Sequence, residues 1–241
     1  MAKEDRRILY GRRRGRRLRP ERARLLDRML PVLALEPEAL EGDPADWFPR
    51  PVRAVWLEVG FGGGEHLARQ AAAHPDVGFI GCEPFMNGVA KLLAAIDAAP
   101  DDAPLDNIRV FPDDARTVLD RLPDRSLGRA FILFPDPWPK ARHNRRRFVA
   151  PPQLDALARV MAPGAELRLA TDHMDYLRWM LFHCLRHDAF EWLARSPADW
   201  RERPADWPPT RYEEKALQQG TACVYLRFRR RPGGKAAAPP D

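Results

Sequence analysis

Between residues 52 and 229 the chain alternates short runs of Val, Ile, Leu and Phe with stretches whose apolar residues recur every three or four positions. The first pattern predicts buried strands and the second amphipathic helices, because side chains repeat with a period of two along a strand and 3.6 along a helix. Strands are predicted over 52–59, 77–83, 108–111, 130–134 and 166–170. Helices are predicted between and after them, over 65–73, 84–98 with Pro84 in the first turn, 115–122, 152–161 and 173–187. Two more strand-like pieces follow, 190–194 and 222–229, separated by a Pro- and Trp-rich stretch read as a loop with no helix of adequate length. Strands joined without a crossover helix pair antiparallel. The expectation is an α/β protein of the doubly wound, Rossmann-like class, with a seven-stranded, mostly parallel sheet whose last strand pair is antiparallel.

The flanks read differently. A helical pattern from Pro20 to Leu40 is interrupted by Pro31, and a polar connector follows at 41–46. Residues 1–20 are Arg-rich and poor in apolar side chains, so they are expected to be a disordered or binding-coupled arm, remote from any crevice. Residues 21–231 form the single folded domain, and 232–241, rich in Pro, Gly and Ala, a disordered tail.

Charge adds a partner to this picture. The net charge of the 241 residues is +6, but residues 1–24 hold eleven Lys and Arg against three acids, so the rest of the chain is slightly acidic. A second basic cluster, Lys140, Arg142, Arg145, Arg146 and Arg147, interrupts the folded domain, and a third lies at 227–235. Blocks of Arg favour a polyanion, since neutralising phosphates releases condensed counterions. A solubilising tail explains the N-terminal block about as well, but not a cluster inside a domain. Composition also excludes classes. The longest apolar stretch, 25–35, is broken by Asp27, Arg28 and Pro31, so no membrane span or secretory signal is expected. Cys82, Cys184 and Cys223 are odd in number and widely spaced, which excludes a disulfide framework and a structural zinc site and points to a reducing, cytoplasmic setting.

The candidate chemistry gathers at the ends of the predicted strands. The first ends in Glu58-Val59-Gly60-Phe61-Gly62-Gly63-Gly64, a turn whose glycines let the backbone approach a nucleotide-like ligand. A dinucleotide fingerprint needs its third glycine at position 65, which is Glu65. That mismatch disfavours a nicotinamide enzyme, while a strand carboxylate facing the loop suits a cationic cofactor. Glu83 ends the second strand, where an acid can accept from both ribose hydroxyls; favouring the next helix N-terminus is its plainer reading. After the third strand either Asp113 or Asp114 is placed to take an adenine amino group, with helix capping as the alternative. Glu58, Glu83 and Asp114 are expected to converge on one crevice. The fourth strand runs into Phe134-Pro135-Asp136-Pro137-Trp138-Pro139-Lys140, where three prolines fix a loop that holds Asp136 beside Trp138, a pairing suited to a purine. Asp172, after the fifth strand, adds a carboxylate to the rim or caps the helix that follows. Thr210-Arg211-Tyr212-Glu213 lies in the late loop, where a hydroxyl and a carboxylate on an exposed segment point to ligand contact.

Together these motifs resemble the bacterial tRNA (guanine-N7-)-methyltransferase family, from about Trp56 to Arg229, with Pro135-Asp136-Pro137-Trp138 followed by Lys140 and Arg142-His143 the most specific element. The resemblance implies a Rossmann-like S-adenosylmethionine-dependent methyltransferase fold. It also implies a cofactor site of Glu58, Gly60, Gly62, Glu83, Asp114 and Asp136, with Asp136 also catalytic. Lys140, Arg142, His143, Arg145, Arg146, Arg147, Asp172 and Thr210, Arg211, Tyr212 and Glu213 are implied to contact tRNA substrate. The implied product is 7-methylguanosine at position 46 in the variable loop, with no metal, membrane or obligate protein partner. Ala141 and Asn144 depart from the basic or His residues of the pattern. Two other readings remain: a non-catalytic RNA-binding module with a vestigial glycine loop, and an amino-methyltransferase, which usually carries Asn or Asp followed by Pro-Pro-Tyr or Pro-Pro-Trp rather than this order.

Overall fold

The computed structural model describes residues 9–233. The outer parts of the expected arm and tail, 1–8 and 234–241, lie outside the described residues. In chain order the elements are α1 (Pro20–Leu33), β1 (Ala54–Val59), α2 (Glu65–Ala73), β2 (Val77–Cys82), α3 (Met86–Asp97), β3 (Ile108–Phe111), α4 (Ala115–Arg121), β4 (Leu127–Leu133), α5 (Pro151–Val160), β5 (Met161–Thr171), α6 (Met174–Arg186), β6 (Phe190–Trp192), α7 (Ala198–Arg201), α8 (Arg211–Gln218) and β7 (Val224–Arg230).

The strands form one sheet in the order β3-β2-β1-β4-β5-β7-β6. The first five pair in parallel, whereas β7 runs antiparallel to both β5 and β6. The expected antiparallel last pair is present, with β7 inserted between β5 and β6 so that β6 is the edge. Alternation along β1 divides the core. Val55, Leu57 and Val59 pack on one side with α4, α5 and α6, while Trp56 packs on the other with α1, α2 and α3. Strand order reverses between β1 and β4, which opens a crevice at their carboxyl ends.

Three expectations are corrected. Pro31 does not stop the N-terminal helix at its own position. It sits in the last turn of α1, which ends at Leu33, and Leu35 then donates to the carbonyl of Val110 in β3. The stretch between the last two strands is not helix-free: it carries the short α7 and the two-turn α8, which starts at a capping box. That box, Thr210 with Glu213 three residues later, is the sequence signal for the helix. Finally, the described part of the basic arm is not remote from the crevice. Residues 9–12 line the cleft, and Arg13–Arg16 lie against α3.

Candidate active site

Local backbone shapes the crevice before any side chain does. Gly62, after β1, adopts φ +58, and its N–H donates to Glu83 Oε2 at 2.7 Å. Gly88, in the first turn of α3, approaches so closely that an added Cβ would lie 2.0 Å from the Gly62 carbonyl oxygen. Glu83 Oε1 accepts a second backbone N–H, from Phe85 at 2.9 Å. Burial pushes the Glu83 carboxyl above its ordinary value, against the pull of those two donors. Each carboxylate oxygen keeps acceptor capacity after its backbone bond.

Glu58 behaves otherwise. Alternation places it on the Trp56 side of β1, beneath the glycine loop, where its Oε2 lies 2.7 Å from Nδ1 of His66 in α2. Both side chains are buried, and Glu58 is not part of the cleft wall, which corrects the expectation that it converges on the crevice with Glu83 and Asp114. On the β3 side, Asp114 caps α4 by accepting from Arg116 N at 3.0 Å and pairs with the Arg116 guanidinium. Asp113 Oδ1 accepts from Asp114 N and from Arg13 Nη2 at 2.6 Å. Both aspartates line the cleft, so capping and cleft placement coexist.

The proline-rich loop after β4 is bracketed by left-handed residues that are not glycine, Phe134 at φ +49 and Trp138 at φ +44, and backbone strain of this kind clusters at functional sites. Between them Asp136 stands at the lip of the cleft, and the surrounding walls desolvate its carboxyl and push it up from the ordinary 3.8. The loop is held from below by Arg147, whose Nε donates to the Pro137 carbonyl at 2.9 Å and whose Nη2 pairs with Asp175. Arg147 is 2% exposed, with its guanidinium against the rings of Tyr176 and Trp179. Its guanidinium is thus engaged by the Pro137 carbonyl and by Asp175, whereas Arg145 is exposed. Lys140 and Arg142 are exposed around a 3-10 turn over Ala141–Arg146, and Arg145 and Arg146 reach the cleft wall. The His143 ring is held below the ordinary histidine range by desolvation and then by Arg146, Arg142, Lys140 and Arg145.

The late segment also divides by burial. Thr210 Oγ1 accepts from Glu213 N at 3.1 Å, and Glu213 Oε1 is bonded by the Tyr225 hydroxyl at 2.5 Å and paired with Arg203. Both residues are buried, so the expected exposed contact is instead the built N-terminus of α8. Its consequence is the position of Tyr212, whose ring stands 3.2 Å from where a Gly62 Cβ would be and lines the same cleft as Glu83 and Asp136. Arg211 is exposed beside it. Asp172 is exposed at the end of β5 and does not cap α6; His173 does, accepting from Tyr176 N.

The walls thus unite Gly60, Gly62, Glu83, Asp114, Asp136 and Tyr212 with Trp138 and three arginines of the cluster around a cavity of about 700 Å3. Lys140, Arg142, His143, Asp172 and Arg211 lie outside that wall. Tyr10 and Gly88 were not singled out from the sequence. A lone aromatic between arginine runs was the only signal for the first. Among the described residues no group of three His, Cys, Asp or Glu could hold a metal ion, and no helix is long and apolar enough to cross a membrane.

Comparison with known proteins agrees with this architecture. Residues 52–226 match the model of the methyltransferase family Methyltransf_4. A tRNA (guanine-N(7)-)-methyltransferase of Rhodospirillum rubrum is 58% identical over 98% of this chain and 91% of its own length. The enzyme of that name from Ruegeria pomeroyi is 50% identical over 95% and 96%. Among solved structures, the 16S rRNA methyltransferase KamB superposes with a TM-score of 0.51 at 18% identity, covering 75% of this chain and 89% of its own. An antibiotic-related methyltransferase gives 0.53 at 15%, covering 80% and 93%. At that identity the structural likeness carries the fold alone. Sequence likeness carries more: the chain belongs to the tRNA (guanine-N(7)-)-methyltransferase family.

Proposed function

We propose that the chain transfers a methyl group from S-adenosylmethionine to N7 of a guanine in tRNA, namely the guanine at position 46 of the variable loop. The observation that carries this reading is the placement of Glu83 and Asp136 on the two sides of β1 where strand order reverses, in a chain of this family. The donor set fits the cofactor. Glu83, anchored by Gly62 and Phe85, offers one oxygen to each hydroxyl of a vicinal diol, and the acids of the cleft suit a sulfonium cation. Asp113 and Asp114 are the candidates for the adenine amino group. Glu58 acts from below, by fixing His66 and the loop between them.

S-adenosylmethionine supplies an electrophilic methyl group, and guanine N7 has an in-plane lone pair, so no residue has to abstract a proton before attack. The work of the chain is alignment, which can supply roughly 7 kcal/mol or more of the barrier. Asp136, fixed by its flanking prolines and by Arg147 beneath, is placed to accept from the guanine N1 and N2 hydrogens and to favour the positive charge that grows on the base. Trp138 offers its ring beside that carboxylate, and Tyr212 lines the same cleft. Arg145, Arg146, Lys140 and Arg142 meet the RNA backbone, in cytoplasmic tRNA. The test is transfer of labelled methyl to tRNA lacking the modification, followed by nucleoside analysis. 7-Methylguanosine from wild-type tRNA but not from tRNA with position 46 changed supports the reading; another methylated nucleoside, or none, overturns it.

A further inference from the structure

The described part of the basic arm bridges the cleft from rim to rim. On the α3 side, Met86 N donates to the Arg13 carbonyl at 3.0 Å. Asn87 clasps the same segment twice: its Oδ1 accepts from Gly15 N, and its Nδ2 donates to the Arg16 carbonyl, both at 2.8 Å. Gly15 lies so close to the Phe85 ring that a Cβ would come within 2.7 Å. Next to it, Arg13 pairs at 2.6 Å with Asp113, a residue of the cleft wall. On the far rim, the Tyr10 ring lies under the Arg146 guanidinium at 4.5 Å and edge-on to Trp138 at 6.2 Å. Residues 9–12 form part of the wall itself.

We propose that Tyr10–Arg16 is a latch that closes the cofactor cleft, so that the cofactor enters and its demethylated product leaves only when this segment lifts. The proposal rests on the reading of the cleft as an S-adenosylmethionine site. Its physical basis is that a ligand walled on one side by the strap cannot exchange without breaking the bonds that pin the strap to α3 and to the Trp138 loop. Asn87 is the hinge-side clasp and Tyr10 the far-side catch. Asn87 does not line the cleft, so its loss acts on the ligand only through the strap.

The test measures dissociation of S-adenosylhomocysteine from the full chain, from Asn87→Ala, from Tyr10→Ala and from a variant lacking residues 1–17, with thermal melts to establish that each folds. Two net hydrogen bonds lost at Asn87 correspond to a dissociation rate about tenfold faster, and the truncated chain should be at least as fast. Trypsin gives a second readout. S-adenosylhomocysteine should shield the bonds after Arg12, Arg13 and Arg14 in the wild type and not in Asn87→Ala. Equal dissociation rates in folded wild type, Asn87→Ala and truncated chain would overturn the latch while leaving the cofactor reading intact. Failure of the wild type to bind S-adenosylhomocysteine would overturn both.

Discussion

Arg147 donates its Nε–H to the carbonyl of Pro137 at 2.9 Å, which ties a buried cation to the loop that carries Asp136. This single bond separates Arg147 from the arginines beside it. Its guanidinium is enclosed by Tyr176, Trp179 and Asp175, whereas Arg145 two residues earlier is exposed.

Substitutions in the cluster should therefore differ in kind. Arg147→Ala strands the Pro137 carbonyl and opens a gap between two rings, so it should lower stability by about 2 kcal/mol and loosen Asp136. Arg145→Ala should leave the melting temperature unchanged and reduce the salt dependence of tRNA binding by a slope of about 1. Denaturant melts and tRNA titrations at several salt concentrations separate the two. A stable Arg147→Ala with a flattened salt slope would return that residue to the RNA surface.

Asp136→Asn should cut methyl transfer at least about a hundredfold, the scale of losing a preorganised electrostatic partner, while the fold is kept. The wild-type pH profile carries the same information. The folded pKa of Asp136 is raised, so the carboxylate is lost as pH falls through a value above 3.8, and the acid limb of kcat/KM should lie above that of an ordinary aspartate. The limb should be absent in Asp136→Asn. The sign for stability is opposite: a carboxyl with a raised folded pKa favours folding below its unfolded pKa and loses that contribution as pH rises through the folded value. Asp136→Asn should accordingly melt no lower than wild type at neutral pH.

Two acids implied in the same site should fail in different ways. If Glu83 holds the cofactor diol as proposed, Glu83→Ala removes bonds to a charged acceptor worth roughly 1.5 to 3 kcal/mol, so S-adenosylmethionine affinity should fall about tenfold or more by calorimetry. Glu58→Ala leaves buried His66 without its partner, so its first effect should be a lower melting temperature. A Glu58→Ala chain as stable as wild type but unable to bind cofactor would place Glu58 in direct contact after all.

Gly88→Ala adds one methyl group where the Gly62 oxygen leaves no room. The clash must shift α3 or the loop, at about 1 to 3 kcal/mol, and should weaken cofactor binding through a residue that does not line the cleft. Calorimetric affinity unchanged from wild type would show that the two backbones can separate without disturbing the site.

The sequence by itself determined the succession of strands and helices, because period-two and period-3.6 burial are local properties that survive without knowledge of neighbours. It also placed Gly62, Glu83, Asp114 and Asp136 at strand ends, where a doubly wound sheet gathers its chemistry. What it left open depended on which distant groups meet. Glu58 was legible as a strand carboxylate, yet His66 claimed it because α2 packs on that side of β1. Thr210 and Glu213 were legible as polar and close in sequence, yet Tyr225 and Arg203, brought in by β7 and the preceding loop, buried them as a cap. Arg147 was one arginine among several until Tyr176 and Trp179 enclosed it. The arm is poor in apolar residues, yet its described part is held by backbone bonds to Met86 and to the Asn87 side chain and by Tyr10 against Arg146. Those partners lie more than 70 residues away, and composition registers how much surface a segment can bury, never which backbone groups the rest of the fold holds out to it.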